Sequence, residues 1–561
     1  MPFMERIGRV VGNFSVTEKA VFYIFTAIFA VSGLTLLYQV NKMFLVEVAD
    51  YGGSLSEGVV GSPRFINPIL AGSDVDRDLT ALVYSGLLRV NSKGKHVPDL
   101  AESYSISDDS LTYTFVLKDN IYFHDGTRLT ADDVVFTIEK AQDPQLKSPR
   151  EANWRGVRVE KVDDKTVTFT LGQAYSPFIQ NLTLGILPKH IWKTASVEGF
   201  PFSQFNVKPV GSGPYKIDYI TYTGSGLPSE YHLKSYNKYS SKQPYITSLV
   251  IKSYQNEKEV IDAYKDGDIE SLYGISPKQL PELKAQDDNI VLAPLPRVFG
   301  VFFNQSVAPV FINKEVRAAL DMATDKQAIV DEVLSGYGQV ANGPVPEESI
   351  AEKSASASTT LDKIEKAKAI LEKAGWEQNE SGIFEKTDKK STTILAFSIS
   401  TGDAPELKAA ALLLQKQWEK IGARVEIKIF EIGDLNQNII KPRKYDALLF
   451  GEVVGRDLDL YPFWHSSERN SPGLNISLYT SIKADKLLEN IRKTTDPETQ
   501  RDYLEDFSEE ITTDIPAVFT YSPYFIYIVP KKVKDVSVGV LANPAERWNG
   551  VSEWALETKN V

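Results

Sequence analysis

The chain has 561 residues, of which 42% are hydrophobic and 24% are charged, and it contains no cysteine. These values are typical of globular proteins and exclude disordered or collagen-like chains, while the length indicates several domains or one large multi-lobed body. The lack of cysteine excludes disulfide frameworks, thiolate metal sites and cysteine nucleophiles. The net charge of −12 argues against a nucleic-acid-binding protein, and a total of five histidines argues against a histidine-rich metal site.

The first predicted element is an apolar helix over residues 20–41, which carry no charge. At about 1.5 Å per residue it is roughly 33 Å long, enough to cross the hydrocarbon core of a bilayer. It is longer than the apolar part of a signal peptide and lacks a small-residue cleavage site, and without cysteine a lipoprotein anchor is excluded. Arg6, Arg9 and Lys19 precede it, so the positive-inside rule places the N-terminus in the cytoplasm. The sequence therefore predicts a single-pass anchor in the cell membrane with an extracytoplasmic main domain; cleavage of the helix stays an open alternative.

Hydrophobic periodicity and turn residues predict the elements of the first half of the main domain. These are a helix over 74–88, a strand over 111–117, a helix from 130, a hairpin over 159–171, a glycine loop at 211–215 leading into strands, and a helix over 257–266. Three aspartates at 74, 76 and 78 suit a helix start better than a calcium loop, because the required glycine and glutamate are missing. Thr130 and Asp133 form a capping-box variant at the next helix start.

The second half is predicted to alternate between strands and helices. A new region is expected to start near 299–304. The expected elements after it are helices over 314–324 and 326–334, a surface loop or linker over 354–360, a strand over 393–400, a helix over 404–421, strands over 424–430 and 446–450, a helix over 497–512 and an apolar segment over 517–529. This alternation predicts an α/β fold with a largely parallel sheet covered by helices.

A search for catalytic chemistry finds no hydrolase, nucleotide-binding or zinc-protease motif. The carboxylate pair Asp457 and Asp459 is followed by Tyr461 and Trp464. An acidic group beside aromatic rings suits a cationic amine with an apolar body, through charge pairing and cation–π contact. The alternative is that these residues pack in the core at the end of a strand.

Several short runs carry a family resemblance. They are SGLLR at 85–89, PDLAES at 98–103, SDDSLTYTF at 107–115, FHDGTRLTADDVVF at 123–136, GSGPY at 211–215, FN at 303–304, VRAAL at 316–320, DK at 325–326 and YDA at 445–447. In order and spacing they resemble the family 5 extracellular solute-binding proteins, the peptide and nickel receptors of ABC importers. The resemblance covers nearly all of residues 55–535, and the run at 123–136 is its most specific part.

The resemblance implies an α/β fold with two lobes of the type II periplasmic-binding class, enlarged by an inserted domain and preceded by the transmembrane helix. The implied segments are a cytoplasmic N-terminus at 1–19, the anchor at 20–41, the first lobe at 45–83 and 206–297, its inserted domain at 84–205, the second lobe at 298–515, and a return to the first lobe with the tail at 516–561. Crossover segments near 296 and 516 would form a hinge. Because a ligand contacts both lobes only when they are closed, binding would shift the population toward the closed form.

The resemblance also implies a ligand site. Peptide-binding members hold an extended peptide and bind its α-ammonium group through an aspartate in the loop after the Tyr-Asp-Ala strand. Asp457 is the first choice for this role and Asp459 the second, and Arg456 could neutralise Asp457 or bind a ligand carboxylate. Glu452 and Leu460 depart from the family pattern, in which Trp and Pro are common, and so leave the ligand class open.

Other ligand-binding candidates come from both lobes. Besides the loop aromatics Tyr461 and Trp464, they are Ser62, Arg64 and Phe65 in a first-lobe loop that reaches the cleft, together with Trp154 and Asn304. For Trp154, packing is an equally good interpretation. No cofactor and no protein-bound metal are expected.

The function implied is that of a membrane-tethered receptor, not an enzyme, that captures oligopeptides and delivers them to ABC permease subunits. The binding unit is expected to be monomeric, with no nucleic-acid partner. The alternatives are the same fold binding a nickel chelate or an oligosaccharide, an anchored extracellular hydrolase that uses the 457–459 region, and a signalling receptor.

Overall fold

The computed structural model describes residues 10–44, 47–283, 288–346, 360–388, 391–494 and 496–560. The helices are α1 Val16–Phe44, α2 Asp74–Val83, α3 Ala131–Gln142, α4 Glu151–Trp154, α5 Phe178–Asn181, α6 Lys189–Trp192, α7 Glu257–Lys265, α8 Leu280–Leu283, α9 Lys314–Ala323, α10 Lys326–Val333, α11 Thr360–Lys373, α12 Pro405–Glu419, α13 Ile432–Asp434, α14 Tyr461–Trp464, α15 Ile482–Lys493 and α16 Pro497–Asp514.

Within the described residues, the strands form one large mixed sheet and four small ones. They are β1 Glu47–Asp50, β2 Gly52–Val60, β3 Leu88–Val90, β4 His96–Pro98, β5 Ala101–Ile106, β6 Thr112–Leu117, β7 Arg158–Lys161, β8 Thr166–Thr170, β9 Tyr215–Tyr222, β10 Pro228–Ser235, β11 Ile246–Tyr254, β12 Ser271–Tyr273, β13 Asn289–Pro294, β14 Arg297–Phe303, β15 Gly338–Val340, β16 Glu377–Gln378, β17 Phe384–Thr387, β18 Thr392–Ile394, β19 Ala396–Gly402, β20 Arg424–Phe430, β21 Ala447–Val453, β22 Ala517–Val529 and β23 Glu557–Asn560.

The N-terminal helix α1 extends beyond the predicted 20–41 at both ends. Its segment Val16–Gln39 is long and apolar enough to cross a membrane, and none of it is buried against the rest of the chain. A core helix of this composition would be largely buried, so α1 does not belong to the core.

The predicted helix over 74–88 begins at Asp74, behind the N-cap Ser73, but ends at Val83. Its end is set by a distant loop. A Cβ added to Gly211 would lie 2.1 Å from the carbonyl oxygen of Val83, and the backbone N–H of Gly213 donates to that oxygen at 2.8 Å. Only glycine allows this close approach, which accounts for the glycine pair in the loop. Of the predicted surface loop or linker over 354–360, residues 354–359 lie outside the described residues, and Thr360 begins α11.

The prediction of a largely parallel sheet is only partly correct. Strand β19 pairs in parallel with both β20 and β21, but β14 pairs antiparallel with β21 and with β22. Strand β22 pairs with β14 through residues 517–521 and with β13 through residues 524–529. It therefore runs through both halves of the large sheet. The hinge positions near 296 and 516 remain predictions.

The sheet of the second half is buried on both faces. Val301 and Phe303 of β14 point into a core made by helices α9 to α12, whereas Val298 and Phe302 point into a core shared with α15 and α16. Successive side chains of a strand alternate between faces, and burial of both faces makes such strands nearly continuous apolar runs.

The C-terminal segment is fastened to the first half by a buried ion cluster. Arg547, fully buried, donates to Asp78 at 2.6 and 2.9 Å and to Glu57 at 3.0 Å, and its guanidinium lies 3.8 Å from the ring centre of Tyr273. Asp78 thus forms an ion pair with Arg547, whereas Asp76 caps the start of α2. Both arrangements agree with the expectation that the aspartates at 74–78 do not bind calcium.

Candidate functional site

The loop that follows β21, residues 454–460, contacts segments far away in the chain. Arg456 forms a largely buried ion pair with Glu546 of the C-terminal segment and donates to the carbonyl oxygen of Gly94 at 3.4 Å. The backbone N–H of Ser176 donates at 3.0 Å to the carbonyl of Arg492, which lies next to this loop. Loop 454–460 is therefore closed against segments assigned by sequence to the inserted domain and the C-terminal return.

Asp459 is held by protein groups on both oxygens. Arg492 donates to Oδ1 at 2.8 Å and to Oδ2 at 2.7 Å, and the Tyr175 hydroxyl donates to Oδ2 at 3.1 Å. The Arg492 guanidinium also lies 3.9 Å from the ring centre of Tyr461. A bidentate guanidinium–carboxylate pair of this kind fixes the orientation of both partners.

Asp457 is in a different environment, although only two residues separate it from Asp459. Its carboxylate is hydrogen-bonded to Gln180, and its buried Oδ2 has no hydrogen-bond partner among the described residues. Burial raises its pKa to about 6, an effect opposed by Gln180 and by the charge of Arg456. Of the two candidate carboxylates, Asp457 is the one with unused hydrogen-bonding capacity.

A cavity of about 360 Å³ lies next to this loop. Its walls come from helix α2, from the segment between β3 and α5, and from the C-terminal segment, and Arg456 of loop 454–460 closes one side. Ligand sites typically measure about 300–1,000 Å³, so this cavity is of a size for a small ligand.

The cavity contains residues that sequence reasoning missed. They are Arg77, Thr80 and Tyr84 of α2 and its C-cap, together with Arg89, Arg150 and Gln180. The one available signal was the spacing of residues 77, 80 and 84, which places them on one face of the helix predicted over 74–88. The positions of Arg89 and Arg150 relative to that face depend on tertiary structure and left no local signal.

The predicted loop aromatics and Asn304 have packing contacts. Trp464 is fully buried, and its indole N–H donates at 3.1 Å to Glu452, whose pKa burial raises well above the usual range. The side-chain amide of Asn304 donates to the Arg443 carbonyl at 2.9 Å. Tyr461 is stacked on His465 with ring centres 4.0 Å apart. These contacts are typical of packing residues, and none of them points to a ligand.

The predicted first-lobe loop lies beside the start of α2. The backbone N–H groups of Arg64 and Phe65 donate to Asp76 at 2.8 and 2.9 Å, while the side chain of Arg64 is exposed. Ser62 is exposed and donates weakly at 3.5 Å to the Pro228 carbonyl. None of these three lines the cavity, whereas Trp154 does, with only 1% of its surface exposed.

No cluster of three or more potential metal ligands is found among the residues that the structure describes. The cavity is lined by guanidinium groups, hydroxyls, the carboxylates of Asp99 and Glu546 and the indole of Trp154, while Asp457 lies in the adjacent loop and is not part of the lining. These groups together suit a polar organic ligand with charged ends.

Comparison with known proteins agrees with this architecture. The family described as "Bacterial extracellular solute-binding proteins, family 5 Middle" matches residues 95–472, more than half of the chain. The mixed α/β solute-binding fold expected from the sequence is confirmed, and the chain belongs to this family of extracellular solute-binding proteins.

Three relatives illustrate the range of ligands in the family. The chain is 28% identical to the oligopeptide-binding protein AppA of Bacillus subtilis, over 90% of this chain and 92% of AppA. The structure of AppA with a nonapeptide covers 91% of this chain and 100% of the AppA chain in that structure, at a TM-score of 0.69. It is 29% identical to di/tripeptide-binding protein 1 of Pseudomonas aeruginosa, over 78% and 82% of the two chains. The structure of NikZ of Campylobacter jejuni with Ni(L-His) is 28% identical in sequence. It covers 90% of this chain and 99% of the NikZ chain, at a TM-score of 0.68.

Proposed function

We propose that this chain is a membrane-tethered, extracytoplasmic receptor that captures short peptides and delivers them to an ABC permease. The observation that carries the proposal is that Arg456 of loop 454–460 closes one side of a small cavity, because a binding protein of this family must enclose its ligand between parts that separate on release. The peptide-binding relatives favour peptide over other solutes, and the cavity volume favours short peptides over a nonapeptide.

Asp457 is the proposed partner of the peptide α-ammonium group. Asp459 already has a bidentate guanidinium partner, whereas Asp457 makes no ion pair with any described residue. A cationic ammonium would also lower the pKa of Asp457 and keep it ionised at neutral pH. No catalytic role is proposed. The hydrolase alternative needs Asp457 and Asp459 to act together, but Asp459 is held in an ion pair with Arg492 and Asp457 is in a different environment.

Helix α1 is proposed to remain as the membrane anchor, with the N-terminus in the cytoplasm and the binding unit outside. The apolar and unburied surface of its residues 20–39 supports a position in lipid. Tethering would keep the receptor near its permease and replace the lipid anchor that a cysteine would otherwise carry.

Mass spectrometry of small molecules released from the purified full chain by denaturation tests the ligand class. A mixture of short peptides is expected, and a single sugar or metal chelate would contradict the proposal. Binding of released peptides to an Asp457→Asn variant should be at least tenfold weaker than to wild type, and the N-acetylated forms should bind both proteins with similar weak affinity. A variant at Asp163, in an exposed hairpin turn, serves as the matched control.

A further inference from the structure

Several hydrogen-bond donors around the cavity have no acceptor. The Thr80 and Tyr84 hydroxyls and the Nε atoms of Arg89 and Arg150 are buried, and none meets a hydrogen-bond partner among the described residues. All four residues line the same cavity. Buried polar atoms in native proteins are nearly always hydrogen-bonded, so a concentration of unsatisfied donors at one place requires an explanation.

The arginines around the cavity differ in how well they are neutralised. Arg77 donates to Asp74 at 2.6 Å, and Arg456 is paired with Glu546. Arg150 has no ion pair and no side-chain hydrogen bond with any residue that the structure describes, and the charge that acts on it most is the cation Arg77. Burial and, to a smaller extent, the charge of Arg77 lower the pKa of Arg150, yet a guanidinium remains protonated in proteins.

Arg150 and α2 together form an electropositive, donor-rich wall. Arg77 and Thr80 lie on one face of α2, Tyr84 is its C-cap residue, and Arg150 lies close enough to Arg77 to be affected by its charge. A guanidinium presents a planar fork of donors that matches the two oxygens of a carboxylate. A neutral sugar or an uncharged amide would leave the positive charge of Arg150 uncompensated.

We propose that this wall binds a carboxylate of the ligand, with Arg150 as its charge partner and the Thr80 and Tyr84 hydroxyls as additional donors. The inference rests on the proposed function and specifies its ligand: a short peptide that carries either a free C-terminal carboxylate or an acidic side chain. The same carboxylate chemistry could come from either source, and the probes below distinguish the two.

The test measures binding to the full chain in detergent by isothermal titration calorimetry. The probes are Ala-Ala-Ala, its C-terminal amide, Ala-Glu-Ala amide and the non-peptide tricarboxylate tricarballylate. Wild type should bind a carboxylate-bearing peptide at least tenfold more tightly than Ala-Ala-Ala amide. Preference for Ala-Ala-Ala identifies the terminal carboxylate as the bound group, and preference for Ala-Glu-Ala amide identifies the side chain.

Two variants assign the effect to Arg150. Arg150→Gln should remove the preference for the carboxylate-bearing peptide, and Arg150→Lys should retain part of it, because charge is kept while the fork is lost. Arg155→Gln is the matched control, since Arg155 is nearby in sequence but exposed and paired with Glu151. The comparison of Ala-Ala-Ala with its C-terminal amide uses the wild-type protein, so it does not depend on whether a variant folds.

The outcomes separate this inference from the proposed function. Equal binding of all three peptides to wild type would overturn the carboxylate site while supporting peptide capture. Binding of tricarballylate alone, lost in Arg150→Gln, would support the carboxylate site and overturn peptide capture. Binding of none of the four probes would overturn both.

Discussion

The ion pair between Arg456 and Glu546 should stabilise the closed form, and its removal should weaken ligand binding. The two side chains are only 10% and 18% exposed and join loop 454–460 to the C-terminal segment. Hydrogen bonds to charged groups contribute about 1.5–3 kcal/mol when partly buried. If the pair forms only on closure, Arg456→Ala should raise the peptide Kd by about 10- to 150-fold, at about 1.4 kcal/mol for each factor of ten.

A double-mutant cycle measured by calorimetry with Ala-Ala-Ala separates closure from direct ligand contact. Arg456→Ala and Glu546→Ala should each weaken binding, and the double variant should be little worse than either single one, because both changes remove the same interaction. The exposed pair Arg158–Glu160 supplies the control, since such pairs contribute about 0–1 kcal/mol. Unchanged affinity in Glu546→Ala together with weak binding in Arg456→Ala would refute the closure argument and assign Arg456 to the ligand.

Three further predictions concern stability, pH and membrane attachment. Arg547→Met should lower the free energy of unfolding by about 3–5 kcal/mol in a urea titration, because it leaves Glu57 and Asp78 buried without a cation; a loss below 1 kcal/mol would show that the cluster is not needed. The pKa of Asp457 is raised from 3.8 to about 6, so the ligand-free native state binds more protons than the unfolded state between these values, and this residue's contribution to stability falls as the pH rises from about 4 to 6. Asp457→Asn should flatten that part of a thermal-melting profile and raise Tm at pH 7, and a profile identical to wild type would contradict the assignment. Phe29→Arg places a charge within the apolar part of α1, at a cost of about 2.5–3.5 kcal/mol near the centre of a membrane helix; less of the chain should resist carbonate extraction, and full retention would argue against a spanning helix.

Local pattern was sufficient for much of the fold. The bounds of β20 and β22 agree with the sequence prediction, and α3 begins at the Thr130–Asp133 capping box as expected. The end of α2 could not be predicted, because it depends on the approach of Gly211 and Gly213 to Val83 from more than a hundred residues away. The antiparallel direction of β14 was also hidden, since a strand buried on both faces has the same apolar pattern in either direction.

The candidate site was less predictable for a related reason. Resemblance to the family identified loop 454–460, but it could not show that Asp459 pairs with Arg492 or that Arg456 pairs with Glu546. The partner of a charged side chain depends on tertiary structure. Asp457 and Asp459, which lie in the same loop, therefore have different partners. Arg150 lies outside every sequence run that carried the resemblance. It was identified only in the structure, where its buried Nε has no hydrogen-bond partner among the described residues.

The charges left without partners support a zwitterionic ligand. Near the cavity, the ion pairs of Arg456 and Asp459 neutralise their own charges within the protein. Arg89 and Asp99 also line the cavity, and their opposite charges act on each other. Among the described residues this leaves the carboxylate of Asp457, which has no ion pair, and the guanidinium of Arg150, which has no side-chain partner. A buried charge is costly until it is paired, and a short peptide carries an ammonium group for the first and a carboxylate for the second. A neutral sugar would compensate neither charge, and an anionic chelate would compensate only Arg150, so the two unpaired groups together favour a peptide.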